Sequence, residues 1–352
     1  MTLIAAVRSA LPPHRYRQAE LAEMVAELSA VDPGRRALLE RLHANAGVDT
    51  RHTVLPLAEY GGLDGIGPTN DLYIERATDL GEQALRSALR AAGLAADEVD
   101  LLIVTSVTGV AVPSLDARLI PRLGLRSDIK RIPIFGLGCV AGAAGLARLH
   151  DYLLAWPRHT AALLAVELCS LTVPLTRTTT PDLVVRGLFG DGAVALLATG
   201  DQVAVASSGP RVTASRSEVY PDSSDVLAWR LGSEGFRIVL TAELADVVEQ
   251  HLRSSVVAFL GEHGLAIDDI RSWVCHPSGP RVIDAVQHSL GLPDAALDLA
   301  RRSLAAVGNM SSASVLHVLQ QTMDSARPPP GSAGLLIGLG PGVSAELVLL
   351  RW

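Results

Sequence analysis

"GLAADEVDLLIV", residues 93–104, comes back as "GLAIDDIRSWVC" at 264–275, 171 positions further on. In each copy an amphipathic stretch precedes the glycine: Leu80, Ala84, Ala88 and Ala92 in the first, Leu244, Val247, Val248 and Leu252 in the second. Spacings of three and four put each set on one helical face. Gly93 and Gly264 then close the helices, an acidic turn follows, and a strand begins. The first strand, "LLIVTS", is a nearly unbroken apolar run, as a strand covered on both faces requires.

Two further blocks keep the same order. "GCVAGAAGLARL" from Gly138 matches "GNMSSASVLHVL" from Gly308, and "LFGDGAVALLA" matches "GLGPGVSAELVLL", with Gly190 and Gly192 falling on Gly340 and Gly342. One such block would be chance reuse of common α/β strings. Three collinear blocks indicate a duplicated αβ unit. The expectation is an α/β protein of two mixed-sheet halves, residues 1–205 and 206–352, packed together with the site between them. This register sets Cys139 of the first half opposite Asn309 of the second, so that two helix starts face one another.

The totals restrict the function classes. At 352 residues, 49% hydrophobic and 19% charged, the chain reads as an ordinary globular protein longer than one core. A formal charge of −7 and the lack of an arginine-rich block exclude a nucleic-acid footprint. Lys130 is the only lysine, which leaves little room for Schiff-base chemistry. Cys139, Cys169 and Cys275 lack CxxC spacing, so a reducing compartment is expected, with neither a disulfide framework nor a zinc site. The amino-terminal apolar run is broken by Arg8, and the longest later one, residues 159–175, carries Glu167 and falls short of a bilayer. A soluble, cytoplasmic protein with no membrane span is expected. No GxSxG elbow or phosphate loop occurs, and no cofactor or metal is implied.

Three residues carry candidate chemistry. Cys139 stands where "IFGLGCVAGAAG" turns into a helix, whose first N–H groups and dipole favour an anion. A thiolate there has a pKa of roughly 3.5–7.5, and small neighbours let an acyl thioester reach the backbone. A buried structural cysteine is the plainer reading. His276, in "WVCHPSGPRVID", follows a strand at its carboxyl end, where α/β sites collect, although a loop histidine is more often a surface residue. Its neighbour Cys275 points to the other side of the strand, against a shared metal site. Asn309, in "AAVGNMSSAS", is by itself no more than a helix cap.

Together, "GLGCVAGAAG", "LFGDGA", "CHPSGPRVID", "GNMSSAS" and "GLGPGVSAE" resemble the type III polyketide synthases, the chalcone and stilbene synthase family, from about Ala5 to Trp352. The resemblance implies a thiolase fold with a layered α/β/α/β/α core, usually as a homodimer, acting on acyl-CoA and malonyl-CoA without a cofactor. It implies that Cys139 holds the acyl chain as a thioester while His276 and Asn309 assist loading and decarboxylation. Two neutral donors aimed at the enolate oxygen suit that chemistry. Phe189 matches the gatekeeper between CoA tunnel and internal cavity; unaided, it reads as a core aromatic. Ser311 falls among the substrate-binding positions, and Arg51 of "NAGVDTRH" matches a basic residue near the CoA phosphates, where an ordinary exposed arginine is the alternative.

The cavity positions depart from the plant pattern. Cys169 replaces a threonine of chalcone synthase, Thr172 retains the second one, and Val107 replaces a polar residue that is cysteine in bacterial tetrahydroxynaphthalene synthases, which counts against that activity. Ile238 replaces a second gatekeeper phenylalanine, and Trp229 stands near a glycine position. This apolar lining favours an aliphatic acyl starter over a phenolic one, and "VELCSLT" resembles the bacterial alkylresorcinol and alkylpyrone synthases. Two rivals share the fold. A β-ketoacyl-ACP synthase III-like enzyme would stop after one condensation, and "CHPSGP" and "GLGPG" speak against it. A non-catalytic thiolase-fold partner would have lost one of the three site residues.

Overall fold

The duplicated block folds the same way twice in the structure, a computed structural model that describes all residues except 30–31, 64, 173–176 and 233–234. The first half runs β1 (Thr2–Ala10), β2 (His14–Arg17), α1 (Gln18–Leu28), α2 (Pro33–Ala44), β3 (Thr50–Thr53), α3 (Ile66–Ala92), β4 (Leu101–Thr105), α4 (Leu115–Leu123), β5 (Lys130–Ile134), α5 (Ala141–Ala155), β6 (Thr160–Leu168), α6 (Thr180–Leu188) and β7 (Asp191–Thr199). The second runs β8 (Arg211–Val219), β9 (Leu227–Gly232), β10 (Gly235–Leu240), α7 (Leu244–Glu262), β11 (Ile270–Cys275), α8 (Pro280–Leu290), α9 (Asp298–Val307), α10 (Ser312–Ser325), β12 (Ala333–Gly340) and β13 (Ser344–Arg351).

Leu80, Ala84, Ala88 and Ala92 are all buried on α3; on α7, Val248 and Leu252 are buried and Leu244 and Val247 half-buried. Gly93 ends α3 in the left-handed region at φ +67°, and Gly264 takes the same φ just beyond α7. The acidic turn recurs for a physical reason. Glu98 accepts from the Ala95 N–H at 2.7 Å and Asp269 from the Ala266 N–H at 2.8 Å, each tying the turn that launches β4 or β11.

The strands form one nine-stranded sheet in the order β11-β12-β13-β8-β1-β7-β6-β4-β5. Strand β4 is parallel to β5 and β6, β11 is parallel to β12, and the other pairs are antiparallel. The antiparallel β1–β8 pair joins the halves, so the order reads outward from the junction in matching fashion. Helices α3 and α4 cover the outer face of the first half's strands, α7, α8 and α9 that of the second. Between them α5 and α10 pack on one another and on strands of both halves, and their apolar residues are buried except in the last turn of α5, where Leu154 is exposed. This is the layered thiolase fold. Burying leucines such as Leu146 and Leu316 in the central layer contributes roughly 1.5–3 kcal/mol each.

At the far edge of the sheet, β5 is exposed along most of its length, and Ile132, Phe135, Leu137 and Trp156 stand out from the same region. Lys130 lies there with its Nζ 4.4 Å from the Trp156 ring centre and 3.2 Å from the Tyr152 hydroxyl, to which it donates. None of the described helices is long and apolar enough to cross a membrane.

Candidate active site

Cys139 sits in the turn Gly138–Val140 that winds directly into α5. A Cβ on Gly142 would collide with the Ser312 carbonyl oxygen. Only glycine lets the start of α5 approach the start of α10, which is how Cys139 Sγ comes to lie 3.5 Å from Ser311 Oγ. Ser311 holds this place at φ +48°, a conformation that costs a non-glycine residue roughly 1–3 kcal/mol and is typical of functional turns. Burial pushes the Cys139 thiol up to about 12, against the smaller downward pull of the Ser311 hydroxyl. Burial at Sγ thus works against the thiolate expected at this helix start.

His276 follows β11, its backbone N–H donating to the Ile337 carbonyl at 2.9 Å. Neither ring nitrogen has a partner among the described residues, and burial takes the imidazole down to about 3, leaving it neutral. Asn309 is held from both sides. Its Oδ1 accepts from the Ser311 N–H at 2.8 Å and the Ser314 hydroxyl at 3.3 Å, while Nδ2 donates to the Ser278 carbonyl at 3.1 Å. The side chain does cap the turn before α10. That same bond fixes the amide's orientation and leaves its second N–H for another acceptor.

Cys139, His276 and Asn309 all line one cavity of about 470 Å³, together with Phe189, Trp229 and Ile238. Trp229 and Ile238 are directly opposed across the β9–β10 hairpin, and the Trp229 ring meets Phe236 edge-on at 6.0 Å. The rest of the wall is largely apolar. Arg281, in the first turn of α8, is the only charged residue among the described lining residues.

Val107, Cys169, Thr172 and Ser311 are buried but are not among the described residues that line this cavity. Ser311 reaches it through Cys139 and Asn309, both of which line it. The Val107 N–H donates to Glu167 at 3.1 Å, and the Thr172 hydroxyl is committed to the Cys169 carbonyl at 2.7 Å. Glu167 itself is fully buried. It accepts from Ser312 at 2.5 Å, Thr108 at 2.9 Å and Ser106 at 3.2 Å, and burial raises its pKa. The same loss of water pushes Cys169 well above the usual thiol range.

Arg51 departs from expectation. It lies on β3, where Arg51 and Thr53 alternate inward, and is 5% exposed. Its Nη1 donates to the Phe189 carbonyl at 2.7 Å and its Nε to Gln18 Oε1 at 3.1 Å. A guanidinium so enclosed cannot meet CoA phosphates. Sequence reasoning passed over Gln18, Arg281 and the role of Glu167; the lone acid inside an apolar strand was the available signal for the last.

Residues 1–202 match the family model for the N-terminal domain of chalcone and stilbene synthases, and residues 211–352 match that for the C-terminal domain. The chain belongs to the chalcone and stilbene synthase family. Over its whole length it is 54% identical to the 1,3,6,8-tetrahydroxynaphthalene synthase of Streptomyces peucetius subsp. caesius, covering 93% of that protein. It is 29% identical, over 99% of its length and 91% of the relative's, to the alpha-pyrone synthesis polyketide synthase-like Pks18 of Mycobacterium tuberculosis. The crystal structure of the 1,3,6,8-tetrahydroxynaphthalene synthase of Streptomyces coelicolor A3(2), a bacterial type III polyketide synthase, superposes with a TM-score of 0.93 at 32% identity, covering 99% of both chains. The protein is a type III polyketide synthase, an acyltransferase that joins units by decarboxylative Claisen condensation. The single-condensation and non-catalytic alternatives give way to this family assignment.

Proposed function

We propose that the first half, residues 1–205, supplies the nucleophile Cys139 and the second, residues 206–352, supplies His276 and Asn309 for iterative chain extension. The convergence of these three on one mostly apolar cavity carries the reading. In loading, Cys139 Sγ attacks the acyl-CoA carbonyl and its proton passes through His276 to the departing CoA sulfur. Burial disfavours either charge alone, so thiolate and imidazolium form together and stabilise one another. In extension, malonyl-CoA loses CO₂ and the electron pair remains as an enolate, whose oxygen accepts from the His276 and Asn309 N–H groups. The enolate carbon then attacks the Cys139 thioester and expels the thiolate. The substrates are CoA thioesters, with no further cofactor.

Phe189 narrows the cavity where α6 ends, and Trp229 and Ile238 form the facing wall. Arg281, in place of Arg51, is the charge available to the CoA phosphates. For the product we put first a polyhydroxylated fused aromatic, on the full-length 54% likeness to a tetrahydroxynaphthalene synthase. Ten ring carbons need only five two-carbon units and no longer starter. The absence of cysteine at Val107 weighs less once that residue is off the described cavity wall. The apolar surfaces of Trp229, Ile238 and Leu240 favour a second reading, an aliphatic acyl starter leading to an alkylpyrone or alkylresorcinol. The exposed apolar edge around β5 supports a homodimer.

Mass spectrometry of products from malonyl-CoA alone, and with acyl-CoA starters from acetyl to long-chain fatty acyl, separates these readings. A ten-carbon aromatic from malonyl-CoA alone is expected, and efficient turnover only with a long-chain starter would favour the second reading. Cys139→Ala should abolish extension while malonyl-CoA decarboxylation persists; polyketide formation by this variant would remove Cys139 from the mechanism.

A further inference from the structure

The turn that ends α6 and the turn that carries Asn309 are bonded in both directions. The Asn309 N–H donates to the Leu188 carbonyl at 2.8 Å, and the Gly190 N–H donates to the Asn309 carbonyl at 3.0 Å. Phe189 and Asn309 consequently form a small parallel bridge of their own. The packing beneath is tight. A Cβ on Gly308 would come within 2.9 Å of both the Arg51 Cδ and the Leu188 carbonyl. The gate side chain and the amide that faces the reacting enolate thus share one backbone unit.

One buried carboxamide holds this unit from behind. Gln18, the first residue of α1, is 8% exposed and uses its side chain on three partners. Its Nε2 donates to the Gly187 carbonyl at 2.7 Å and the His43 carbonyl at 3.2 Å, and its Oε1 accepts from Arg51 Nε at 3.1 Å. Arg51 then reaches the Phe189 carbonyl. Gln18 therefore grips the end of α6 twice, directly at Gly187 and through Arg51 at Phe189.

We propose that Gln18 is a positioning residue that sets Phe189 and Asn309 relative to one another and thereby the number of extensions completed before release. This rests on the assignment of Phe189 as gate and Asn309 as enolate donor. Gln18 touches neither substrate nor reacting atoms. Its effect passes through the Gly187–Gly190 backbone, where displacements of an ångström reach the chemistry.

Gln18→Met keeps the length of the side chain and removes all three hydrogen bonds. Gln18→Glu keeps the acceptor for Arg51 and loses both donors, and serves where the methionine variant does not fold. Product ratios, kcat and KM for malonyl-CoA, and the thermal midpoint would be measured well below unfolding, with Phe189→Leu alongside. The expected result is a rise in early-released products and a fall in kcat of about ten- to hundredfold with KM nearly unchanged, smaller in Gln18→Glu. A folded variant with the unaltered product ratio and kcat, whatever its thermal midpoint, overturns the positioning role, provided Phe189→Leu shifts the ratio. If no variant shifts it, the gate assignment itself falls.

Discussion

At the scale of single residues, burial governs the titration behaviour of this site. His43, whose ring packs against Gly187 near the end of α6, is held down to about 3 first by burial and then by the positive charges of Arg51 and Arg186. Its unfolded value, near 6.5, is higher, so between the two the unfolded chain binds the extra proton. His43's contribution is complete above pH 6.5 and is lost as pH falls toward 3. Chemical denaturation of His43→Gln at pH 7.5 and pH 5 should show an acid-ward loss smaller by about 2 kcal/mol than in the unaltered protein. Equal losses would mean His43 is protonated in the fold. Arg281→Ala should raise KM for malonyl-CoA by about tenfold while kcat stays within about twofold, the pattern of lost uniform binding; an unchanged KM in steady-state kinetics would assign the phosphates elsewhere. Cys139, His276 and Asn309 were legible because each stands at a small-residue or strand-end junction. The direction in which Arg51 points was not: in "TRHT" both faces carry polar residues, so alternation gives no sign of which one the core takes.

At the scale of elements, the fold depends on two helix starts being brought together. Gly142 is the residue that permits it, since the Ser312 carbonyl occupies the space of any side chain there. Gly142→Val should cost about 1–3 kcal/mol of stability through overpacking. It should also lower condensation by about a hundredfold through displacement of Cys139 from Ser311. Thermal unfolding and product formation measure the two separately, and full activity in the variant would show that the helix starts tolerate separation. The duplication made α3, β4, α7 and β11 readable, because buried face, left-handed glycine and acidic turn recur together. The β9–β10 hairpin was less readable. Its residues alternate only weakly, and the pairing of Trp229 with Ile238 arises from the cross-strand register.

At the scale of the molecule, the sheet ends in β5, which pairs with β4 on one side and with no other strand among the described residues on the other; beside it Phe135 is 59% exposed. For the homodimer proposed on this edge, Phe135→Asp should weaken self-association by roughly thirtyfold, the effect of losing one contact of about 2 kcal/mol at an interface centre. Light scattering across micromolar concentrations checks this, and an unchanged mass would place any interface on another face. The repeated unit of helix, left-handed glycine, acidic turn and strand was legible from the collinear blocks. The continuous sheet joining them was not, since the β1–β8 pairing leaves no local pattern in either strand. Lys130, on that same edge, has a consequence for self-inflicted damage. Activated CoA thioesters acylate free amines spontaneously, and an enzyme that concentrates them is exposed to its own substrates. Arginine guanidinium groups stay protonated and do not react in this way. With one lysine in the whole chain, its ammonium held over Trp156 and bonded to Tyr152, stray aminolysis has a single side-chain target.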